Sequence, residues 1–209
     1  MSTRAAGEDD DGGRATAKSK PVRADAQRNT DALLEAALAV FATSGVDAPV
    51  REIAARAGVG VGTVYRHFPQ RADLIAAVFR REIDACADAA PVLAAEHGPG
   101  GALALWMQRY AAFIGTKRGL ASALHSGDPV FDPLPEYFRQ RLVPALRALL
   151  ESATAAGEVR TDIAARDLLG AVASLCSNAY GQGPEHARRM VALVVDGLRY
   201  GANPSVKTP

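Results

Sequence analysis

Between positions 60 and 71 the chain places side chains whose chemistry suits a polyanion. Gly60, Val61, Gly62, Thr63, Tyr65, Arg66, His67 and Arg71 are small, hydroxyl-bearing, aromatic or basic. Tyr65, His67 and Arg71 can bond phosphate oxygens. Thr63 offers a hydroxyl to a base edge and a methyl group to thymine. Two glycines in a helix cost about 1 kcal/mol each relative to alanine. They can be explained by a backbone that must approach a surface closely, or more plainly by the start of a helix. Arg51 is the other basic candidate, either a base contact or a solvated helix charge.

The elements that must carry these residues can be read around them. Val50–Ala57 has helical spacing, with Ile53, Ala54 and Ala57 on one face. Gly58 can adopt the left-handed conformation that closes a helix, and Val59 anchors the turn. Gly60–Phe68 is a second, short helix, and Pro69 discourages its continuation. Two short helices joined by a tight turn containing glycine form the helix-turn-helix pattern, whose second helix enters the DNA major groove. Before it, Asp25–Ser44 is an amphipathic helix through Leu33, Ala37, Val40 and Phe41. The expected core of this three-helix unit is Leu34, Leu38, Phe41, Ile53, Val64 and Phe68.

The stretch IAARAGVGVGTVYRHFPQRADL resembles the DNA-binding signature of TetR-family transcriptional regulators. Ile53, Ala54, Ala57, Gly58, Val59, Gly62, Thr63, Val64, Tyr65, His67, Phe68, Arg71 and Leu74 carry the likeness. Gly60 stands where a serine is often found, Ala48 and Pro49 precede the first motif helix where a hydroxyl is usual, and Arg71 replaces the common lysine. The resemblance implies an all-α protein: an N-terminal three-helix DNA-binding domain, then a helical-bundle domain for effector binding and dimerisation. It also implies a homodimer through the last two long helices, a double-stranded DNA operator and a small-molecule effector. The C-terminal part, through phrases such as GEVRTDIAARDLLGAV, looks like the SbtR-like subclass.

The rest of the chain is consistent with that plan. Residues 1–24 lack periodicity and are expected to be a disordered tail, 25–70 the DNA-binding domain, 71–201 the effector and dimerisation domain, and 202–209 a second tail. Arg71–Val92 is expected as a helix ending near Pro91, running from the basic surface into the body. Gly101–Gly115 follows, with Trp106, Tyr110 and Phe113 at i, i+4 and i+7; they are either ordinary core or one wall of a ligand cavity. Lys117–Ser126 reads as a separate short helix, and Asp128–Pro135 as an irregular loop. Leu134–Ala156, Ile163–Tyr180 with Asp162 as N-cap, and Pro184–Tyr200 complete the helices. Trp106, Tyr110, Phe113, Phe138 and Cys176 are the candidate effector contacts.

Composition sets the boundaries of this reading. The 209 residues are 48% hydrophobic, enough for a buried core, and the net charge is +1. That charge is uneven: residues 14–72 hold nine Lys or Arg against five Asp or Glu, leaving the remainder net acidic. No apolar run reaches membrane-spanning length and no start resembles a signal peptide, so a cytoplasmic protein without membrane contact is expected. Cys86 and Cys176 show no zinc or C-x-x-C spacing, and His125, Asp128 and Asp132 match no metal-ligand spacing; no metal and no cofactor are expected. Nothing matches H-E-x-x-H, G-x-S-x-G, a P-loop or a dinucleotide fingerprint, and no catalytic residue is assigned. The reading is a TetR-like repressor released by a small molecule. Its alternatives are an activator or ligand-independent repressor of the same fold, and a helical-bundle carrier or enzyme without DNA function.

Overall fold

The computed structural model describes residues 19–177 and 183–200, without the side chains of 19–27, 116–119, 121, 122 and 177. Among the described residues there are eight α-helices and no strand: α1 (Ser19–Ser44), α2 (Val50–Ala57), α3 (Val61–His67), α4 (Arg71–Glu96), α5 (Pro99–Leu124), α6 (Leu134–Ala155), α7 (Ala165–Ser177) and α8 (Pro184–Tyr200), with a 3-10 turn at Pro129–Phe131. Residues 1–18, 178–182 and 201–209 lie outside the described residues, and with them most of the expected N-terminal tail, the C-terminal tail and the end of the helix expected to reach Tyr180; residues 19–24, expected as tail, are helical.

α1 begins six residues before the expected start. Pro21 falls in its first turn, where the N–H that proline lacks would have no helical partner. The apolar stripe of α1 is buried as its spacing requires, with Leu33, Ala37, Val40 and Phe41 at 2% exposure or less. Ile53 and Val64 bury against it, while Leu38 and Phe68 are half-buried at its edge.

α4 is the spine. It packs most extensively against α5 and α6 and also touches α1. Leu74, Ile75, Val78, Phe79, Ile83 and Cys86, spaced helically in sequence, are all buried. Pro91 does not end α4, which runs on to Glu96. The proline sits on an exposed face, so its ring meets solvent, and the chain leaves the helix only at the Gly98–Pro99 break. α5 likewise runs unbroken to Leu124, so the separate helix expected from Lys117 does not exist. Glycine in a helix costs about 1 kcal/mol, and the buried row Ala111, Phe113, Ile114 and Leu120 on either side of Gly115 outweighs it.

Two other features depart from expectation. The Pro-rich stretch after α5 is not wholly irregular: the Asp128 carboxylate accepts from the Val130 N–H at 3.0 Å and caps the 3-10 turn that buries Phe131. Asp162 does not cap α7, which starts at Ala165. Its carboxylate is taken by Arg160, with both oxygens bonded at 2.5 and 2.6 Å.

α4 and α6 are fastened by a polar cluster. The Tyr137 hydroxyl donates to Asp84 at 2.7 Å, and Arg141 donates to Asp84 and Asp88, each at 2.7 Å. The Arg80 guanidinium lies 5.9 Å from the centre of the Tyr137 ring. Burial, then the Asp84 hydrogen bond, pushes the Tyr137 phenol up.

Candidate functional site

The turn between α2 and α3 is built by the backbone. Gly58 sits at φ 69°, ψ 26°, and its N–H donates to the Ala55 carbonyl at 3.2 Å. The Val59 N–H reaches back to Ala54 at 3.0 Å, which completes a Schellman closure and brings the half-buried Val59 onto the core. α3 then leaves along a new direction, with Gly60 extended at its N-cap. The single fully buried side chain of α3 is Val64. With that residue holding the helix down, Val61, Gly62, Tyr65, Arg66 and His67 face outward; Thr63 is half-buried and Tyr65 is 51% exposed. Arg51, on α2, is exposed as well.

The two glycines here are not required by the fold. Neither has positive φ, and a Cβ added at Gly60 or Gly62 would meet no atom within 4 Å. At Gly62, in the first turn of α3, the chain therefore gives up helix stability where a side chain would fit, while Gly60 occupies an N-cap that accepts glycine well. That is what a surface needing close backbone approach from outside would look like.

Arg71 departs from its expected role. Its guanidinium does not project outward toward a phosphate but donates to the backbone carbonyls of Val46 and, at 2.7 Å, Ala48. These carbonyls lie in the α1–α2 connection, which has no helical partner for them. The basic residue of the signature thus braces the base of α4 against the loop that leads into α2. Beside it, the Gln70 N–H donates to the Asp73 carboxylate at 3.0 Å and fixes the start of α4.

The candidate effector contacts separate. Trp106 and Tyr110 are fully buried and stack with ring centres 5.7 Å apart. The Trp106 indole donates to the Cys86 carbonyl at 2.8 Å, and the Tyr110 hydroxyl to the Leu169 carbonyl at 3.2 Å. Phe113 packs on Phe79 and Phe138. A cavity of about 580 Å³ opens between α4, α5, α6 and α7, within the range of small-molecule sites. Tyr110 and Phe138 line it; Trp106 and Phe113 do not, because they belong to the packed core behind it. Cys176 faces a different cavity, of about 810 Å³, between α1, α5 and α8. Gln108 lines that second space with a buried Oε1 that has no hydrogen-bond partner among the described residues.

Sequence reasoning missed Phe79, Phe131, Arg139, Arg166 and Gly170 on the wall of the first cavity. Arg166, Gly170 and Ala173 follow at i, i+4 and i+7, a cationic and small-residue face beside the apolar stripe of α7, and that spacing was the available signal. Both cysteines are buried and neither forms a disulfide with a described residue. Burial pushes the Cys86 thiol up to about 12, which makes it packing rather than a nucleophile.

Residues 33–78 match the family of bacterial regulatory proteins of the tetR type, and residues 98–200 match the C-terminal domain of SbtR-like transcriptional regulators. A TetR transcriptional regulator from Streptomyces coelicolor is 39% identical, with 81% of this chain and 98% of that one covered at a TM-score of 0.72. The chain belongs to the TetR family. A second TetR regulator, from Mycobacterium vanbaalenii, is 35% identical over 86% of this chain and 99% of its own, with a TM-score of 0.66. An HTH-type transcriptional regulator of Staphylococcus aureus is 38% identical over 64 residues; the match spans 30% of this chain and about a third, 35%, of that relative. As a TetR-family member, the chain is a helix-turn-helix, DNA-binding transcriptional regulator, related to regulators rather than to enzymes. No helix among the described residues is long and apolar enough to cross a membrane.

Proposed function

We propose that this TetR-family regulator is a homodimeric repressor that binds a palindromic operator and is released by a small molecule. The observation that carries the DNA reading is the exposed face of α3, with a helical glycine, Gly62, that the fold does not need. In this reading residues 25–70 form the DNA-binding domain and 71–201 the effector and dimerisation domain. Tyr65 and His67 bond phosphates and set register. Thr63, Val61 and Gly62 approach base edges, with Gly60 allowing the backbone close, and Arg51 and Arg66 flank them. Arg71 contributes by holding the α1–α2 connection in place.

Dimerisation would use α7 and α8, whose outer faces leave Leu175, Leu193 (65% exposed) and Tyr200 (81% exposed) uncovered. A two-fold axis there would set two copies of α3 on successive major-groove faces, hence the palindrome. The effector would occupy the α4–α7 cavity and act by binding the DNA-incompetent arrangement more tightly.

The test is an anisotropy titration of the purified protein on DNA from upstream of its own coding sequence, at two salt concentrations. Expected are specific binding that weakens with salt, and loss of affinity in Tyr65→Phe and Thr63→Ala variants that remain folded. Absence of specific binding to this DNA and to sequences selected from a random pool would overturn the reading.

A further inference from the structure

The α4–α7 cavity has a distinctive distribution of charge. Its wall is largely apolar and aromatic, formed by Phe79, Tyr110, Phe131, Phe138 and their aliphatic neighbours. Two guanidinium groups, Arg139 from α6 and Arg166 from α7, share the lining with His125, and among the described residues no aspartate or glutamate is part of it. Arg139 is paired with Glu136 on its own helix. Arg166 makes no hydrogen bond or ion pair with any described residue and is exposed. The Tyr110 hydroxyl already donates its hydrogen bond to the Leu169 carbonyl.

We propose that the ligand of this cavity is an amphipathic organic anion: a largely apolar, in part aromatic body with one carboxylate held at Arg166, with Arg139 beside it. The proposal rests on the reading of this cavity as the effector site. A guanidinium fork matches a carboxylate in geometry as well as in charge. A neutral molecule of the same shape would gain only apolar contact, and a cation would meet the Arg166 charge, which no described acid offsets, beside an Arg139 charge that Glu136 offsets. Gly170 fits the same assignment. It sits one turn after Arg166 on the cavity wall, and a Cβ added there meets nothing within 4 Å. A side chain at 170 would therefore occupy the space assigned to the ligand body.

The experiment is calorimetric titration of the full-length protein with matched pairs: 4-phenylbutanoate against 4-phenylbutanamide, and decanoate against decanol, with decyltrimethylammonium as the cationic control. At least one acid should bind roughly tenfold more tightly than its neutral match, the scale of one charge-assisted hydrogen bond. An Arg139→Gln/Arg166→Gln double variant should lose that preference while keeping the affinity for the neutral match. Gly170→Leu, a change that favours helix and fills the cavity, should lose both. The assignment is overturned if no acid outperforms its neutral match, if the cation binds best, or if the acid's preference survives in the double variant. A parallel titration of the protein–DNA complex separates this from the function reading. An acid that binds without weakening DNA affinity refutes the effector role and leaves the ligand class standing. DNA release by a neutral compound alone refutes the class and leaves the effector role standing.

Discussion

Gly62 places two demands in opposition at one position. Replacing it with alanine puts a methyl group into open space and removes a glycine from the first turn of α3, so the folded protein should gain up to about 1 kcal/mol. If α3 lies against DNA through its backbone, the same methyl group stands where the duplex must come close. Gly62→Ala is therefore expected to raise the urea midpoint and to weaken operator affinity. A gain in both would mean the glycine serves neither fold nor DNA. Arg71 makes the converse case. Were it only a phosphate contact, Arg71→Ala would leave stability alone and reduce the salt slope of DNA binding by about one. Because its guanidinium serves the Val46 and Ala48 carbonyls, the variant should instead lose about 2 kcal/mol of stability, read by urea denaturation. The residue types of α3 and their outward face were legible in the sequence. The inward turn of Arg71 was not, since its partners lie more than twenty residues away and are backbone atoms that no motif encodes.

At the scale of elements, periodicity succeeded where one face is buried and the opposite face is not. α2, α4 and α8 follow from their spacing, and so does the Gly58 turn. Punctuation residues misled. Pro91 and Gly115 look like stops, yet tertiary packing along α4 and α5 outweighs a local cost of at most a few kcal/mol. Asp162 looks like a cap, but its carboxylate goes to a cation two residues earlier. The contact between α4 and α5 also carries a pH dependence. Glu82 is half-buried on α4, and burial pushes its carboxyl up, with the guanidinium groups of Arg81 and Arg109 offsetting part of the effect. A carboxyl with a raised folded-state value binds its proton more tightly in the folded form than in the unfolded one. Stability from this group is thus fully present below about pH 4.5, its ordinary value, and is lost as pH rises through the raised value. Glu82→Gln should match or exceed the parent in melting temperature at pH 7, and the advantage should vanish by pH 4. A variant less stable than the parent at pH 7 would show that Arg81 and Arg109 outweigh burial.

For the whole molecule the question is how a ligand between α4 and α7 could reach α3. α4 is the obvious lever and was legible as such, because it starts at the basic surface and ends in the body. The structure adds a second connection that the Pro-rich sequence of 128–135 concealed. Phe131 is buried on the 3-10 turn, and that turn packs on α4. The Phe131 ring lines the α4–α7 cavity on one side. On the other it lines a smaller space shared with Val46, Arg71 and Ile75, the residues that set the α1–α2 connection. A ligand that displaces Phe131 therefore acts on the same loop that Arg71 braces, and through it on the placement of α2 and α3. Such coupling is a free energy, measurable as the ratio of ligand affinities with and without DNA, and is commonly 5- to 150-fold in allosteric proteins. Phe131→Leu keeps an apolar group on the turn but shortens the ring that spans both spaces. The variant is expected to bind operator as the parent does and to retain ligand within a few-fold, while the affinity ratio falls toward one. If the ratio is unchanged in a folded Phe131→Leu protein, the signal travels along α4 alone and the 3-10 turn is only a plug.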